Sequence, residues 1–159
     1  MDRAFYILIK EQVATRRERN FSIGRQEPPT HVLEGSLWYD SPASSEVDDY
    51  RTLDKTILLY SVEYEDVDLK CSMQDVQRLD NTQYNLLHAI DSCGDRFKVY
   101  QDTSWMNEAM QMNVDSIVYA LKMPGLPDRT PAKVRYRGPL KNKNGLWFGI
   151  ELSLVRRFL

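Results

Sequence analysis

At 159 residues the chain has room for one ordinary domain or two very small ones. Its 42% hydrophobic and 28% charged content is that of a globular protein, and no window approaches the roughly 18 consecutive apolar residues of a membrane span. A net charge of -2 argues against general nucleic-acid binding, which shows a marked basic excess.

The N-terminus offers only a short apolar run, residues 4–9, before the Arg16-Arg17-Glu18-Arg19 cluster, with no small-residue cleavage pattern between them. A secretory signal is therefore not expected, and cytoplasmic residence is the simpler reading. Residues 5–10 read as a strand with Phe5, Ile7 and Ile9 on one face, inside an N-terminal strand segment of residues 1–19. Over residues 20–55 the composition turns to that of a disordered linker, with Pro28-Pro29, Gly35 and Ser41-Pro42-Ala43-Ser44-Ser45 set among acids. Trp38 and Tyr39 interrupt it, either as a docking motif or, by the blander account, as a pair packing locally on the following domain.

Residues 56–62 carry Ile57, Leu58, Leu59 and Tyr60, a strand-length apolar run that residues 66–69 are expected to pair with. The clearest helix follows. Asp80 can cap its start, Gln83 completes a capping box, and Tyr84, Leu87 and Ile90 recur at helical spacing, with Gly94 as a left-handed terminator. Residues 96–100 alternate as a further strand, so that residues 56–103 form a strand-helix-strand unit. Trp105, Met106, Met110 and Met112 separate it from a strand-rich C-terminal third, residues 104–159.

In that third, residues 114–121 look like an entry strand. Val134 and Tyr136 then alternate with Lys133, Arg135 and Arg137, giving an apolar face to be buried and a basic face to be exposed, until Gly138-Pro139 stops the strand. Lys141 and Lys143 extend the basic character, and no Asp or Glu occurs from residue 129 to residue 150 to neutralise it. A solvated outer strand face explains such charges; a surface for acidic partners is the sharper alternative. Gly145 and Gly149 flank Trp147, which suits a backbone passing close beneath a large ring. Alternation sends Trp147 and Phe148 to opposite faces, one to the core and one to the rim.

Cys71, Cys93, His31 and His88 invite a test for thiol catalysis. A nucleophilic thiolate needs a helix N-terminus or an adjacent, oriented histidine. Cys93 falls instead at the end of the predicted helix, five residues from His88 and on a different face, so no catalytic role is assigned. Two Cys and two His without C-x₂-C or H-x₃-H spacing do not make a metal site, no cofactor is implied, and both thiols are expected to stay reduced.

The C-terminal motifs resemble a CAP-Gly domain. Val134, Arg135, Tyr136 and Gly138 fill a V-R-[YF]-x-G strand, and Gly145, Trp147, Gly149, Ile150 and Leu152 fill the G-x-W-x-G-[VI]-x-L strand that follows it. Asp115 stands where the family has a glycine, and the G-K-N-D-G loop that floors the family's peptide groove is absent. The chain ends on Ser153-Leu-Val-Arg-Arg-Phe-Leu159 instead, so residues 104–159 are read as a truncated, partial module. Upstream, residues 5–11, Ser22-Ile-Gly24 and residues 86–97 are similar to the N-terminal region of the cylindromatosis deubiquitinase (CYLD) family.

That resemblance implies an α+β, strand-rich fold, a strand-helix-strand unit followed by an incomplete CAP-Gly-like β-barrel. It also implies CAP-Gly modules used for localisation and partner binding, joined to a papain-like protease that cleaves linear and certain lysine-linked polyubiquitin chains and restrains NF-κB signalling. The protease region is not among these residues. The chain is thus read as a non-catalytic N-terminal fragment of a CYLD-like deubiquitinase, a cytoplasmic, cytoskeleton-associated protein-binding module. Lys133, Arg135, Arg137, Gly145, Trp147, Phe148 and Gly149 would meet partners such as tubulin, other acidic tails or NF-κB pathway proteins. The alternative is a CAP-Gly microtubule-associated adaptor with no enzymatic relatives.

Overall fold

The computed structural model describes residues 3–16, 30–40 and 55–153, and its secondary structure is α+β and strand-rich. Seven strands lead the chain: β1 (Phe5–Leu8), β2 (Gln12–Arg16), β3 (Thr30–Val32), β4 (Leu37–Asp40), β5 (Thr56–Ser61), β6 (Val67–Ser72) and β7 (Val76–Leu79). They form one sheet in the order β3-β2-β6-β5-β4-β1-β7, with every pairing antiparallel. β1 and β2 follow each other closely in sequence, yet they lie on opposite sides of β4, β5 and β6. Two such near-contiguous strands can flank the same three only if the sheet curls back on itself. The curl encloses a core of Tyr6, Leu8, Ala14, Val32, Trp38, Leu59, Val67, Leu69, Cys71 and Val76. The expected pairing of residues 56–62 with 66–69 is the β5–β6 hairpin, in which Leu59 faces Leu69.

The expectation of a linker over residues 20–55 does not hold for residues 30–40, which form β3 and β4. Trp38 lies opposite Tyr6 on one side and Ser61 on the other, is 1% exposed, and donates its indole N–H to Ser36 Oγ at 2.8 Å. Composition misleads here because two short strands need few apolar residues when those residues, Leu37 and Trp38, sit at the centre of a sheet. The rest of that stretch, with its proline and serine runs, lies outside the described residues.

A second core covers the outer face of β1. Ile7, Leu37 and Leu79 meet Tyr84, Leu86 and Leu87 of α1 (Asn81–His88) and Met106 and Ala109 of α3 (Thr103–Gln111), with Phe5 and Ile9 packed alongside. The predicted Phe5/Ile7/Ile9 face is therefore buried, and so is its reverse, Tyr6 and Leu8, which marks β1 as a central strand. The capping box of α1 forms as expected, Gln83 N–H to Asp80 Oδ1 at 2.8 Å and Asp80 N–H to Gln83 Oε1 at 3.0 Å. The helix ends at His88, however, and Gly94 does not terminate it. Ser92 accepts from the Asp95 N–H at 3.3 Å and starts α2 (Cys93–Gln101), which contains Gly94 and replaces the strand expected over residues 96–100. Asp102 then caps α3 through the Trp105 N–H at 3.0 Å. Each of these short helices thus begins on a side chain that satisfies an orphan N–H.

Arg96 explains why residues 96–100 are helical. Its side chain is 1% exposed and runs inward from α2. Nε donates to the carbonyls of Leu87 (3.0 Å) and Ile90 (3.1 Å), Nη1 to Gly35 O (2.9 Å), and Nη2 to Ile90 O and Glu63 Oε1 (both 2.6 Å). One planar guanidinium therefore ties the end of α1, the turn before β4 and the loop after β5 to α2. Gly35 permits the approach: its φ is +87°, and a Cβ there would lie 2.1 Å from the Cys93 carbonyl oxygen.

The C-terminal third folds as a separate antiparallel sheet, β10-β9-β8, made of β8 (Ile117–Leu121), β9 (Arg129–Gly138) and β10 (Trp147–Leu152). It is fastened to α1 where Leu146 N–H donates to Asn85 O at 2.8 Å and where Leu146 and Phe148 pack on the second core. Gly145 makes that junction possible, with φ +83° and no room for a Cβ, which would stand 2.3 Å from Asn85 O. Among the described residues this sheet stays open, with β8 and β10 as its edges.

Candidate binding surface

The hairpin of β9 and β10 carries every residue singled out for partner binding, and one irregularity decides where they point. Tyr136 faces Gly149 and Val134 faces Ile150, so Arg135 is an extra residue in β9 with no partner in β10. Such a bulge breaks alternation. Val134, before it, is fully buried, whereas Tyr136, after it, is 41% exposed, and Ile150 is exposed as well. The expectation that Val134 and Tyr136 share a buried face is thereby corrected.

The basic face is divided for the same reason. Arg137 faces Phe148, whose ring packs on the second core, so Arg137 turns toward the body of the protein and its Nε is buried with no hydrogen-bond partner among the described residues. Arg135 stays exposed but is held by two carboxylates, Glu151 at 2.5 Å and Asp115 at 3.1 Å. Glu151 lies one residue beyond the acid-free stretch and Asp115 on the turn before β8, so the idea that nothing local neutralises these charges fails for Arg135. Lys133 is half-buried, while Lys141 and Lys143 are exposed. Asp115 has φ 74°, the left-handed conformation that a glycine would adopt without cost.

The glycines do support an aromatic, though a different one from the tryptophan they flank. A Cβ on Gly138 would fall 2.7 Å from the Tyr136 hydroxyl, and one on Gly149 would fall 3.0 Å from Tyr136 Cβ. The Tyr136 hydroxyl donates to the Pro139 carbonyl, which fixes the ring over the glycine backbone. Trp147 is half-buried and donates its indole N–H to Asn144 O at 2.7 Å, closing the turn between the strands. Phe148 is the core-facing ring of the pair. Tyr136, Gly138 and Gly149 thus come together, with Leu140, Lys141 and Lys143 exposed on the loop that follows Tyr136.

The sequence places an entry strand over residues 114–121, but not the exposed apolar face that β8 presents. Ile117, Tyr119 and Leu121 are 68%, 50% and 65% exposed, on one face of an edge strand, and the Arg129 guanidinium lies 4.0 Å from the Tyr119 ring centroid. The available signal was a strand apolar at every position, Ile-Val-Tyr-Ala-Leu, in a sheet covered on one side only.

The thiols and imidazoles stand elsewhere. Cys71 sits in the first core, where burial and then Asp75 push its thiol up to about 11. Cys93 is the first residue of α2 and does not stand at a helix C-terminus, and His88 is on α1, which corrects the placement of both on one helix. Desolvation, followed by Glu63, still raises the Cys93 thiol, outweighing the hydrogen bond from Arg96 at 3.8 Å. Burial and the nearby Arg96 charge lower His88. Among the described residues no helix is long and apolar enough to cross a membrane.

No protein-family model and no solved structure matches the chain. It is 25% identical over 154 residues, 95% of its length, to the ubiquitin carboxyl-terminal hydrolase CYLD of Bos taurus and to that of Pongo abelii, covering 16% of each. Against the Homo sapiens protein of the same name it is 30% identical over 82 residues, half of this chain and 8% of the relative. The chain is therefore similar, along nearly all its length, to a region of CYLD that makes up about 16% of those relatives.

Proposed function

We propose that this chain is a non-catalytic, protein-binding region of a CYLD-like deubiquitinase, cytoplasmic and able to reach the cytoskeleton, with the β9–β10 hairpin as its contact surface. The similarity to CYLD supports the affiliation, and one observation carries the binding role. The Tyr136 ring is half-exposed yet fixed against Gly138 and Gly149 and tied to Pro139, which leaves a rigid aromatic with little conformational freedom to lose. Lys141 and Lys143, exposed on the adjoining loop, give the platform positive charge. An acidic segment that includes an aromatic residue fits this surface, as in tubulin-type tails or acidic stretches of NF-κB pathway proteins. Trimming linear and lysine-linked ubiquitin chains would fall to the protease region that the resemblance places elsewhere in such a protein; this region would position it.

The family groove uses a G-K-N-D-G loop to hold a terminal carboxylate, and that sequence does not occur here. Binding is therefore expected to be weak, to fall as salt screens the charges over a Debye length of about 8 Å at physiological ionic strength, and to be indifferent to amidation of the peptide. Calorimetric titration with an acidic, tyrosine-ended tail peptide tests this. Tyr136→Ala and the Lys141→Glu, Lys143→Glu double variant should each abolish binding while changing stability by no more than about 1 kcal/mol. Salt-insensitive binding that survives both variants would remove the hairpin as the contact site. The microtubule-adaptor alternative is separated by the full-length transcript: a ubiquitin-specific protease domain supports the first reading, a coiled coil the second.

A further inference from the structure

We infer that the free edge of β8 pairs two copies of this chain in an antiparallel, two-fold arrangement centred on Tyr119. The parity of the ladder shows which backbone groups are open. Val134 N–H donates to Ser116 O, Lys122 N–H donates to Asp128 O, and Val118 and Ala120 lie opposite Ala132 and Thr130. The even-numbered residues of β8 therefore direct their N–H and C=O groups at β9. Those of Ile117, Tyr119 and Leu121 point away from it, along the edge of the sheet. The same residues expose their side chains, so one row presents apolar surface together with backbone that has no strand partner among the described residues.

The occupant follows from the pattern of the strand itself. In an antiparallel copy centred on Tyr119, Tyr119 meets Tyr119, Ile117 meets Leu121, and each facing pair exchanges both of its hydrogen bonds. Other registers leave one of the open residues unpaired. The ends agree as well: Asp115, which also holds Arg135, precedes the strand and Lys122 follows it, so reversal brings the carboxylate end of one copy beside the lysine end of the other. Both end residues have positive φ, 74° and 52°, which turns the backbone away and confines pairing to the five residues between Ser116 and Lys122. The strand is self-complementary in apolarity, charge and length. So short an edge makes a reversible, concentration-dependent dimer, formed through a different strand from the β9–β10 hairpin and independent of what that hairpin binds.

Sedimentation velocity on the full chain over a concentration series tests the pairing. A dimer fraction that rises with concentration is expected. Tyr119→Pro should leave only monomer, because it deletes the central outward N–H while touching no bond to β9. Ile117→Lys and Leu121→Glu should each weaken self-association by roughly tenfold or more, since a charge would then face an apolar side chain. An equimolar mixture of those two variants should recover the dimer, because Lys at 117 of one copy then faces Glu at 121 of the other. A wild-type chain that stays monomeric, growth into species larger than a dimer, a dimer that persists in Tyr119→Pro, or a mixture that fails to recover overturns the proposal.

Discussion

The curled N-terminal sheet and the open C-terminal one are built from the same kind of strand, yet they treat apolar residues in opposite ways. In the first, Tyr6 and Leu8 point into one core and Phe5 and Ile7 into another, so β1 has no face left for solvent. In the second, Ile117, Tyr119 and Leu121 stand in water on a strand just as short and just as apolar. A strand's composition thus says that something covers it, and position in the sheet says whether the cover belongs to the same molecule. The part that stabilises and the part that is available to partners are separated along the chain, joined at Gly145 and Leu146.

That contrast breaks if the two sheets prove equally sensitive to truncation of apolar side chains. Trp38→Ala should have the largest effect, about 4 kcal/mol in chemical denaturation, because it empties the centre of the first core and removes the indole N–H that Ser36 Oγ accepts. Leu121→Ala, a smaller truncation in the open sheet at a side chain already in water, should stay within about 0.5 kcal/mol. Arg96→Ala comes next, at about 3 kcal/mol, since it leaves Glu63 and the carbonyls of Gly35 and Ile90 without the guanidinium that donates to them. Hydrogen exchange should then show loosening at residues 33–37 and at the end of α1, with β8 and β9 unchanged.

The smallest effect sharpens the comparison through pH. Burial, with the Arg96 charge second, holds the His88 imidazole below its ordinary 6.5. Below that pH the unfolded chain takes up a proton that the folded chain refuses, so stability declines as pH falls from 6.5 toward the lowered folded value. Thermal unfolding of His88→Gln should decline less steeply over that window than wild type. An identical slope would show that the imidazole is as solvated as any residue of the open sheet.

What could be read from the sequence was local. Asp80 and Gln83 name each other across one helical turn, and Leu59 and Leu69 are brought together by a short hairpin, so both were legible. Trp38 and Arg96 were not, because the features that bury them, Tyr6 and Ser61 for one and Gly35 and Glu63 for the other, lie far away in sequence. The assignment of faces on the candidate surface broke down at a single residue. The spacing of Val134, Tyr136 and Arg137 predicts faces correctly only for an unbroken ladder, and the extra residue at Arg135 is visible only against β10. The glycines announced a close approach to an aromatic ring, but not that the ring was Tyr136.

The position of β1 also bears on how the chain comes together during synthesis. The first of these seven strands to be synthesised settles between β4 and β7, with Phe5 opposite both Tyr39 and Leu79. Until residues near 79 have emerged, one of its edges has no native partner, while α1, nucleated by its own cap at Asp80, follows immediately behind the strand that completes the pairing. Docking of β1 is thus a late, long-range event in a region whose hairpins and helices form locally, and such closures are the slow steps of folding. A nascent chain stalled before residue 79 would carry β1 with one edge open and its α1-facing side uncovered, a form exposed to chaperones and to misassembly with its neighbours on a polysome.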